Sequence, residues 1–266
     1  MELLTLLFNR FFGKINQTGS ASQDLTKNET RWEITEKHFN KDKETRKHVI
    51  CNGEPVEIDW DKVVLWDEEG GLKCGPAQYK SRKAARSVKL FVVHWDACLS
   101  SAKMSEVLKE RGLSVPFAID NDGTIYQLMD TKHIAWHAKG VNQQSVGVEI
   151  ANAVLPKYNE WYEKKGLGKR AIKSGVKLNG AVLTPMLDFY PVQVEALTAL
   201  LAAVCRAHQI PFKVPLNKDG SLVMGRDDRV AGRLFKGIVG HYHVTVQKSD
   251  PAGLPLDTIV KKAELL

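Results

Sequence analysis

The sequence predicts an α/β protein, because stretches suited to buried strands alternate with stretches patterned as helices. Residues 88–93 are apolar and rich in β-branched side chains, and residues 145–151 form a second run of the same kind. Residues 100–111 and 192–208 show the apolar spacing of amphipathic helices. The first apolar run leads into His94, and α/β sheets commonly carry their chemistry at strand ends. A functional site is therefore predicted there.

The length and composition indicate a globular protein with one large domain, or with a medium domain and an appendage. The chain has 266 residues, of which 43% are hydrophobic. Its formal net charge is +7, and its pI is near 9.1. This charge favours an acidic partner, and nucleic acid, an anionic membrane surface and an anionic cell-wall polymer all stay open.

The cysteines indicate neither a redox motif nor a disulfide scaffold. Cys51, Cys74, Cys98 and Cys205 include no C-x-x-C pair, so we expect reduced thiols in a protein made in the cytosol. A bridge between Cys51 and Cys74 stays open as an alternative. No apolar run reaches transmembrane length, and the start MELLTLLF carries Glu2 in place of a basic segment, so we expect no secretory signal.

Residues 1–48 are predicted to form an arm ahead of the folded part of the chain. Six large apolar side chains recur there at helical spacing: Leu3, Leu4, Leu7, Phe8, Phe11 and Phe12. This apolar stripe predicts a helix that either docks on a partner or folds back on its own domain; a membrane surface is less favoured because few basic residues lie nearby. Residues 13–30 are typical of a polar linker, and residues 31–48 are densely charged.

The segments around the first core strand are predicted from their turns and charges. Residues 49–73 offer short β-like runs between the turns NGEP and DEEGG. Residues 80–89 are basic without an acidic residue, which indicates either contact with an anionic polymer or a solvated loop. Residues 116–129 are expected to form a hairpin around the polar turn NDGT.

The second half of the chain alternates loops with two helices and one strand. Residues 152–189 are irregular and rich in lysine, and long loops of this kind are often binding walls or lids. Residues 192–208 form the strongest helical pattern, started by Pro191. The remaining segments are a loop at 216–235, a strand in KGIVGHYHV that delivers His241, and a short closing helix at 256–266.

Residues 240–253, GHYHVTVQKSDPAG, concentrate possible metal donors. Imidazole nitrogen and carboxylate oxygen both bind zinc, and a catalytic zinc usually takes three protein ligands and leaves a fourth position for water. Fully extended, His241 and Asp250 would lie roughly 30 Å apart, so the segment must double back if both bind one ion. The third donor must come from elsewhere. The alternative is that H-x-H only places two side chains on one strand face.

Three motifs occur in the order of a known family: FVVHWD, then DGTIYQLMDTKHIAWHAKG with SVGVEI, then GHYHVTVQKSDPAG. Together they resemble the type 2 family of zinc-dependent N-acetylmuramoyl-L-alanine amidases, which includes phage lytic enzymes and animal peptidoglycan recognition proteins. The resemblance covers residues 88–266. It implies an α/β fold with a central mixed β-sheet flanked by helices, one zinc ion, and cleavage of the amide bond between N-acetylmuramic acid and the L-alanine of the stem peptide.

The resemblance, together with the sequence patterns that precede residue 88, predicts a domain division and a place of action. Residues 1–48 would be the N-terminal arm, residues 49–87 a small β-rich extension, and residues 88–266 the zinc amidase domain. Peptidoglycan is the implied partner and no nucleic acid is expected. The implied enzyme is phage lytic or virion-associated, is made in the host cytoplasm and acts at the bacterial cell wall. The apolar stripe lies outside the resemblance, and its pattern predicts binding to a phage structural or host protein.

Carried over residue by residue, the resemblance implies a complete site. The zinc ligands are His94, His241 and Asp250; Glu149 is the general base and acid, Lys248 stabilises the oxyanion, and His137 and Trp136 line the substrate groove. Val115 stands in the region where some phage members carry a catalytic tyrosine, which favours the Glu149 type of site. Ala252 separates Pro251 from the following glycine, which departs from the family pattern.

Two questions stay open from the sequence. His243 would be a group that supports a ligand, a rival ligand, or a surface histidine. The alternatives to a free lytic enzyme are a peptidoglycan-binding protein without activity and an amidase domain tethered within a larger assembly such as a phage tail.

Overall fold

The structure, a computed structural model, describes residues 47–266. Its strands are β1 His48–Cys51, β2 Glu54–Glu57, β3 Val63–Leu65, β4 Tyr79–Lys80, β5 Leu90–Trp95, β6 Phe117–Ile119, β7 Ile125–Gln127, β8 Ile134–Ala135, β9 Ser145–Ile150, β10 Ile172–Lys173, β11 Lys177–Leu178, β12 Ala181–Val182, β13 Met186–Leu187 and β14 Gly237–Gly240. Its α-helices are α1 Ser101–Glu110, α2 Asn159–Lys164, α3 Pro191–His208, α4 Asp228–Ala231 and α5 Leu256–Leu265.

A six-stranded mixed sheet forms the centre of the fold, in the order β14-β5-β9-β6-β7-β3. β14, β5, β9 and β6 are parallel, β7 is antiparallel to β6, and β3 is parallel to β7. β5 is buried along its whole length and β9 nearly so, as expected for apolar strands inside a parallel array. The predicted central mixed sheet and the hairpin of β6 and β7 are confirmed.

The segment before residue 88 contributes to this sheet. β3 pairs with β7 at the sheet edge, while β1 and β2 form a separate hairpin that contacts α3. Trp60, between the hairpin and β3, is fully buried and donates its indole N–H to the carbonyl of Gly123 at 2.8 Å. The boundary predicted at residue 88 therefore does not separate an extension from the sheet.

The longest helix, α3, is covered on nearly all sides. Residues 193–205 are buried without interruption, which goes beyond the amphipathic helix that the sequence predicted. α3 begins at Pro191 and ends before Gln209, which has φ +56° in the left-handed region. α5 packs against it. The predicted α1 is also confirmed, and its N-terminus is capped by Ser100, whose side chain accepts the N–H of Lys103.

The lysine-rich segment 152–189 is more ordered than the sequence predicted. It contains α2 and two short antiparallel pairs, β10 with β13 and β11 with β12. Buried Arg170 connects this segment to the rest of the fold, because its guanidinium donates to the side-chain oxygens of Asn121 and Gln193. It also lies over the rings of Tyr162 and Tyr190, at 4.5 and 4.0 Å from their centroids. These partners are distant in sequence, so a local pattern does not reveal them.

Replacing Arg170 by methionine is expected to lower the free energy of unfolding by roughly 2 to 3 kcal/mol, because buried amide oxygens of Asn121 and Gln193 lose a charged donor. Urea unfolding measures the change. Lys169→Met is the control, since that side chain is 64% exposed. Equal stabilities of the two variants would show that Arg170 does not anchor the segment.

The predictions for residues 1–46 lie outside the described residues: the apolar stripe, the linker and nearly all of the charged arm. In the described part, all four cysteines are free thiols, so no bridge joins Cys51 to Cys74. No helix within residues 47–266 combines the length and the apolar character needed to cross a membrane.

Candidate metal centre

Three donor atoms converge at the carboxyl ends of β5 and β14. Nδ1 of His94 lies 3.0 Å from Nδ1 of His241 and 2.9 Å from Oδ2 of Asp250, and the latter two atoms lie 3.0 Å apart. All three residues are buried. We call this nearly equilateral arrangement the donor triangle.

The sheet and one doubled-back loop bring these residues together. β14 is the parallel neighbour of β5, so His241, directly after β14, emerges at the sheet edge where His94 lies. The chain then doubles back as predicted, because the backbone N–H of Tyr242 donates to the carbonyl of Asp250 at 3.1 Å. His241 and Asp250, nine residues apart in sequence, are thereby brought into contact.

The donor triangle fits a metal ion better than it fits a hydrogen-bond network. Each imidazole nitrogen carries at most one hydrogen, which cannot align with both other corners of the triangle. Two histidine nitrogens and a carboxylate oxygen are a zinc donor set, and donors on tetrahedral zinc lie about 3.3 Å apart. Within residues 47–266, His94, His241 and Asp250 are the one group of three or more histidine, cysteine or acidic side chains whose ligand atoms lie close enough together to hold one metal ion.

The electrostatics place two of these donors, His94 and Asp250, in the protonation states that a metal requires. Burial lowers the pKa of His94 to about 4, and neighbouring His241 adds to the effect. Burial alone would raise the pKa of Asp250, but the imidazoles of His241 and His94 outweigh it and hold that pKa well below its usual range. At neutral pH His94 is therefore neutral and Asp250 ionised, which are the forms that bind metal.

Glu149 lies beside the donor triangle with an unsatisfied oxygen. Its Cα is the register partner of His94 in the parallel pair of β5 and β9, so both side chains project from the same face of the sheet. Its Oε2 is buried without a hydrogen-bond partner. Burial, followed by the charges of Asp250 and Asp96, raises the pKa of Glu149 well above its usual value, and the half-buried Lys248 opposes the shift. A bound dication would lower this pKa again.

The two residues predicted to line the substrate groove have defined partners inside the protein. Nδ1 of His137 lies 3.0 Å from Nε2 of His94, the ring nitrogen outside the donor triangle, and Nε2 of His137 lies 3.1 Å from Oγ of Ser145. Trp136 is half-buried, and its backbone N–H donates to Oγ of Ser114 at 2.9 Å. A substrate contact by either residue stays a prediction.

His243 does not share a strand face with His241, which corrects the H-x-H interpretation. β14 ends at Gly240, and residues 241–243 form a 3₁₀ turn. His243 is fully buried; its Nδ1 accepts the N–H of Gly240 at 2.9 Å, and its Nε2 donates to the carbonyl of Val223 at 2.8 Å. With both nitrogens engaged, His243 holds the turn that presents His241 and is not a rival ligand.

Asp96 acts electrostatically on Glu149, and no role was predicted for it. Its Oδ1 accepts the backbone N–H groups of Cys98 and Asn152, so it ties the end of β5 to the end of β9. Burial raises the pKa of Asp96 to about 8, although the two hydrogen bonds oppose this. Its position directly after a strand end was the available signal, whereas its partner 56 residues away was not.

A comparison with protein families bears on what this site does. The family model described as N-acetylmuramoyl-L-alanine amidase matches residues 84–253. That range includes every residue to which the sequence assigned zinc binding, catalysis or substrate contact. No curated protein sequence matches the chain.

Three solved structures are similar to this chain at low sequence identity. AmpDh3 of Pseudomonas aeruginosa, solved with an anhydromuramic pentapeptide, is 18% identical with a TM-score of 0.43, over 72% of this chain and 66% of that one. The hydrolase AmiA of Staphylococcus aureus, solved with its ligand, is 13% identical with a TM-score of 0.44, over 77% of this chain and 82% of that one. An endolysin of a Thermus scotoductus bacteriophage is 14% identical with a TM-score of 0.41, over 76% of this chain and 98% of that one.

Proposed function

The chain belongs to the N-acetylmuramoyl-L-alanine amidase family, and from that membership we propose that it cleaves the amide bond between N-acetylmuramic acid and the L-alanine of the peptidoglycan stem peptide. The observation that carries the proposal is the convergence of His94, His241 and Asp250 beside the buried carboxyl group of Glu149. Zinc is the metal that this donor set favours.

Amide hydrolysis needs a nucleophile stronger than neutral water and a group that stabilises the oxyanion. Zinc bound in the donor triangle would supply a water of lowered pKa and polarise the carbonyl. Glu149 accepts a proton from the attacking water and returns it to the nitrogen of the leaving L-alanine. Lys248, whose charge acts on both His94 and Glu149, holds positive charge where the oxyanion develops.

Digestion of purified sacculi tests the bond assignment. The zinc-loaded protein is incubated with sacculi, and mass spectrometry identifies the released products. Stem peptides with a free N-terminal L-alanine, together with glycan strands that lack peptides, are the expected products. Cleavage at another bond would contradict the proposal, and binding to sacculi without any release would favour the non-catalytic alternative. The same spectra report which stem peptide is accepted.

We also propose a phage lytic or virion-associated setting in which residues 1–48 tether the enzyme. The support is the sequence resemblance to a family that includes phage lytic enzymes, together with the apolar stripe. Burial of six large apolar side chains on a phage structural or host protein would favour binding by about 1.5 to 3 kcal/mol each, before ordering costs.

A chain that begins at Lys47 is expected to hydrolyse sacculi at the wild-type rate and to lose co-purification with the tethering partner. This start keeps the first described strand, and the carbonyl of Lys47 still accepts the N–H of Ile58. Hydrolysis and pull-down assays on both chains measure the two effects. If the shortened chain unfolds and loses activity, the arm is part of the core and the tethering proposal is wrong.

A further inference from the structure

His137 forms a chain of contacts that starts at a predicted metal ligand. Nε2 of His94 and Nδ1 of His137 are 3.0 Å apart, and Nε2 of His137 is 3.1 Å from Oγ of Ser145. The His94 and His137 rings meet edge to face, with an interplanar angle of 80° and centroids 5.2 Å apart. These contacts lie on the side of His94 that faces away from the donor triangle.

The direction of each hydrogen bond follows from the lone pair of His94. If Nδ1 of His94 offers its lone pair to a metal, the ring proton must sit on Nε2. That N–H then donates to Nδ1 of His137, which must be unprotonated. The proton of neutral His137 therefore sits on Nε2 and donates to Oγ of Ser145. The Nε2–H tautomer of both His94 and His137 therefore satisfies all of these contacts.

From this geometry we infer that His137 is a positioning residue of the metal centre, which accepts the Nε2–H of His94 and so fixes the tautomer and orientation of that ligand. The inference rests on the proposed zinc function. It gives His137 a role that acts through His94, distinct from a substrate contact. Groups of this kind commonly change metal affinity by about 10- to 100-fold when they are removed.

The fold holds His137 in this place from two sides. Oδ1 of Asn142 accepts the backbone N–H groups of His137 and Ala138, at 3.2 and 2.7 Å. Gly147 lies directly against the ring, because a Cβ at that position would come within 2.6 Å of Nδ1 of His137. A glycine in β9 thus leaves room for the imidazole behind His94.

Zinc affinity of matched variants tests the role. His137→Phe keeps a ring but removes the acceptor, whereas His137→Asn places an amide oxygen at the position of Nδ1. We expect His137→Phe to bind zinc about 10- to 100-fold more weakly than wild type, and His137→Asn to recover most of that loss. Competition with a chromophoric chelator, on the full-length chain, measures each affinity. Gly147→Ala, which displaces the ring, should weaken binding in the same direction.

Nitrogen-15 NMR of the zinc-loaded wild-type chain gives a readout that needs no variant. The expected result is the Nε2–H tautomer of His137. An Nδ1–H tautomer, or equal zinc affinity of wild type and His137→Phe, overturns the inference while leaving the proposed function intact. Failure of the wild-type chain to bind zinc overturns both. If His137→Phe does not fold, the tautomer and the Gly147→Ala affinity decide the question.

Discussion

Glu149→Gln is expected to lower the rate of stem-peptide release by about 10² to 10⁴-fold, because an amide cannot accept the proton of the attacking water or return it to the leaving nitrogen. The variant should fold and bind zinc as wild type does, since glutamine has nearly the same shape and Glu149 is not in the donor triangle. Removing a buried carboxyl group without a partner on Oε2 also carries little structural cost. Rates with sacculi and zinc content per chain are the two measurements.

Glu160→Gln is the matched control for this prediction. Glu160 lies on α2, its side chain is 72% exposed, and its contact is a surface ion pair with Lys164. Such pairs contribute little, so the control should keep full activity. Activity of Glu149→Gln within a few-fold of wild type, with zinc present, would assign the proton transfers to another group.

His94→Ala is expected to lose both the metal and the activity. Removing one of three protein ligands should weaken zinc binding by more than the roughly 100-fold attributed to the groups behind a ligand. After dialysis against a chelator, wild type should retain close to one zinc per chain and the variant almost none. Atomic absorption measures the metal, and digestion of sacculi measures the activity.

His48→Ala provides the control, because His48 is exposed at the start of β1. It should retain zinc and activity at wild-type levels. Stoichiometric zinc in His94→Ala would contradict the ligand assignment. A circular dichroism spectrum of the metal-free variant separates loss of zinc from loss of fold.

The elements of the fold that the sequence predicted are those with a strong local pattern. β5, β9 and α3 carry long apolar runs. The turn NDGT lies between the two strands of the hairpin, and Gly112 follows the end of α1. The place of β3 could not be read in the same way, because three residues carry no information about which strand they pair with. Arg170 likewise acts through partners that only the folded chain assembles.

In the site, too, the features predicted correctly depend on a local pattern, and the feature predicted wrongly depends on a distant partner. The distance that would separate His241 from Asp250 in an extended chain predicted a loop that doubles back, and the structure contains this loop. The wrong prediction concerned His243, because a period of two assumes that the strand continues beyond Gly240. In the structure the strand ends at Gly240, whose N–H donates to the buried imidazole of His243. The other nitrogen of that imidazole donates to the carbonyl of Val223 in another loop, a contact that the local sequence does not reveal.

The adjacency of β5 and β14 sets an order of events during synthesis. β14 is the last strand in the described part of the chain, yet it pairs with β5 from the first half. β5 therefore lacks one of its two neighbouring strands until β14 has been synthesised. His241 and Asp250 follow β14, and a nascent chain that ends before residue 250 lacks at least one corner of the donor triangle. The proposed hydrolysis therefore requires translation through Asp250, because shorter fragments contain Glu149 but lack a complete donor triangle.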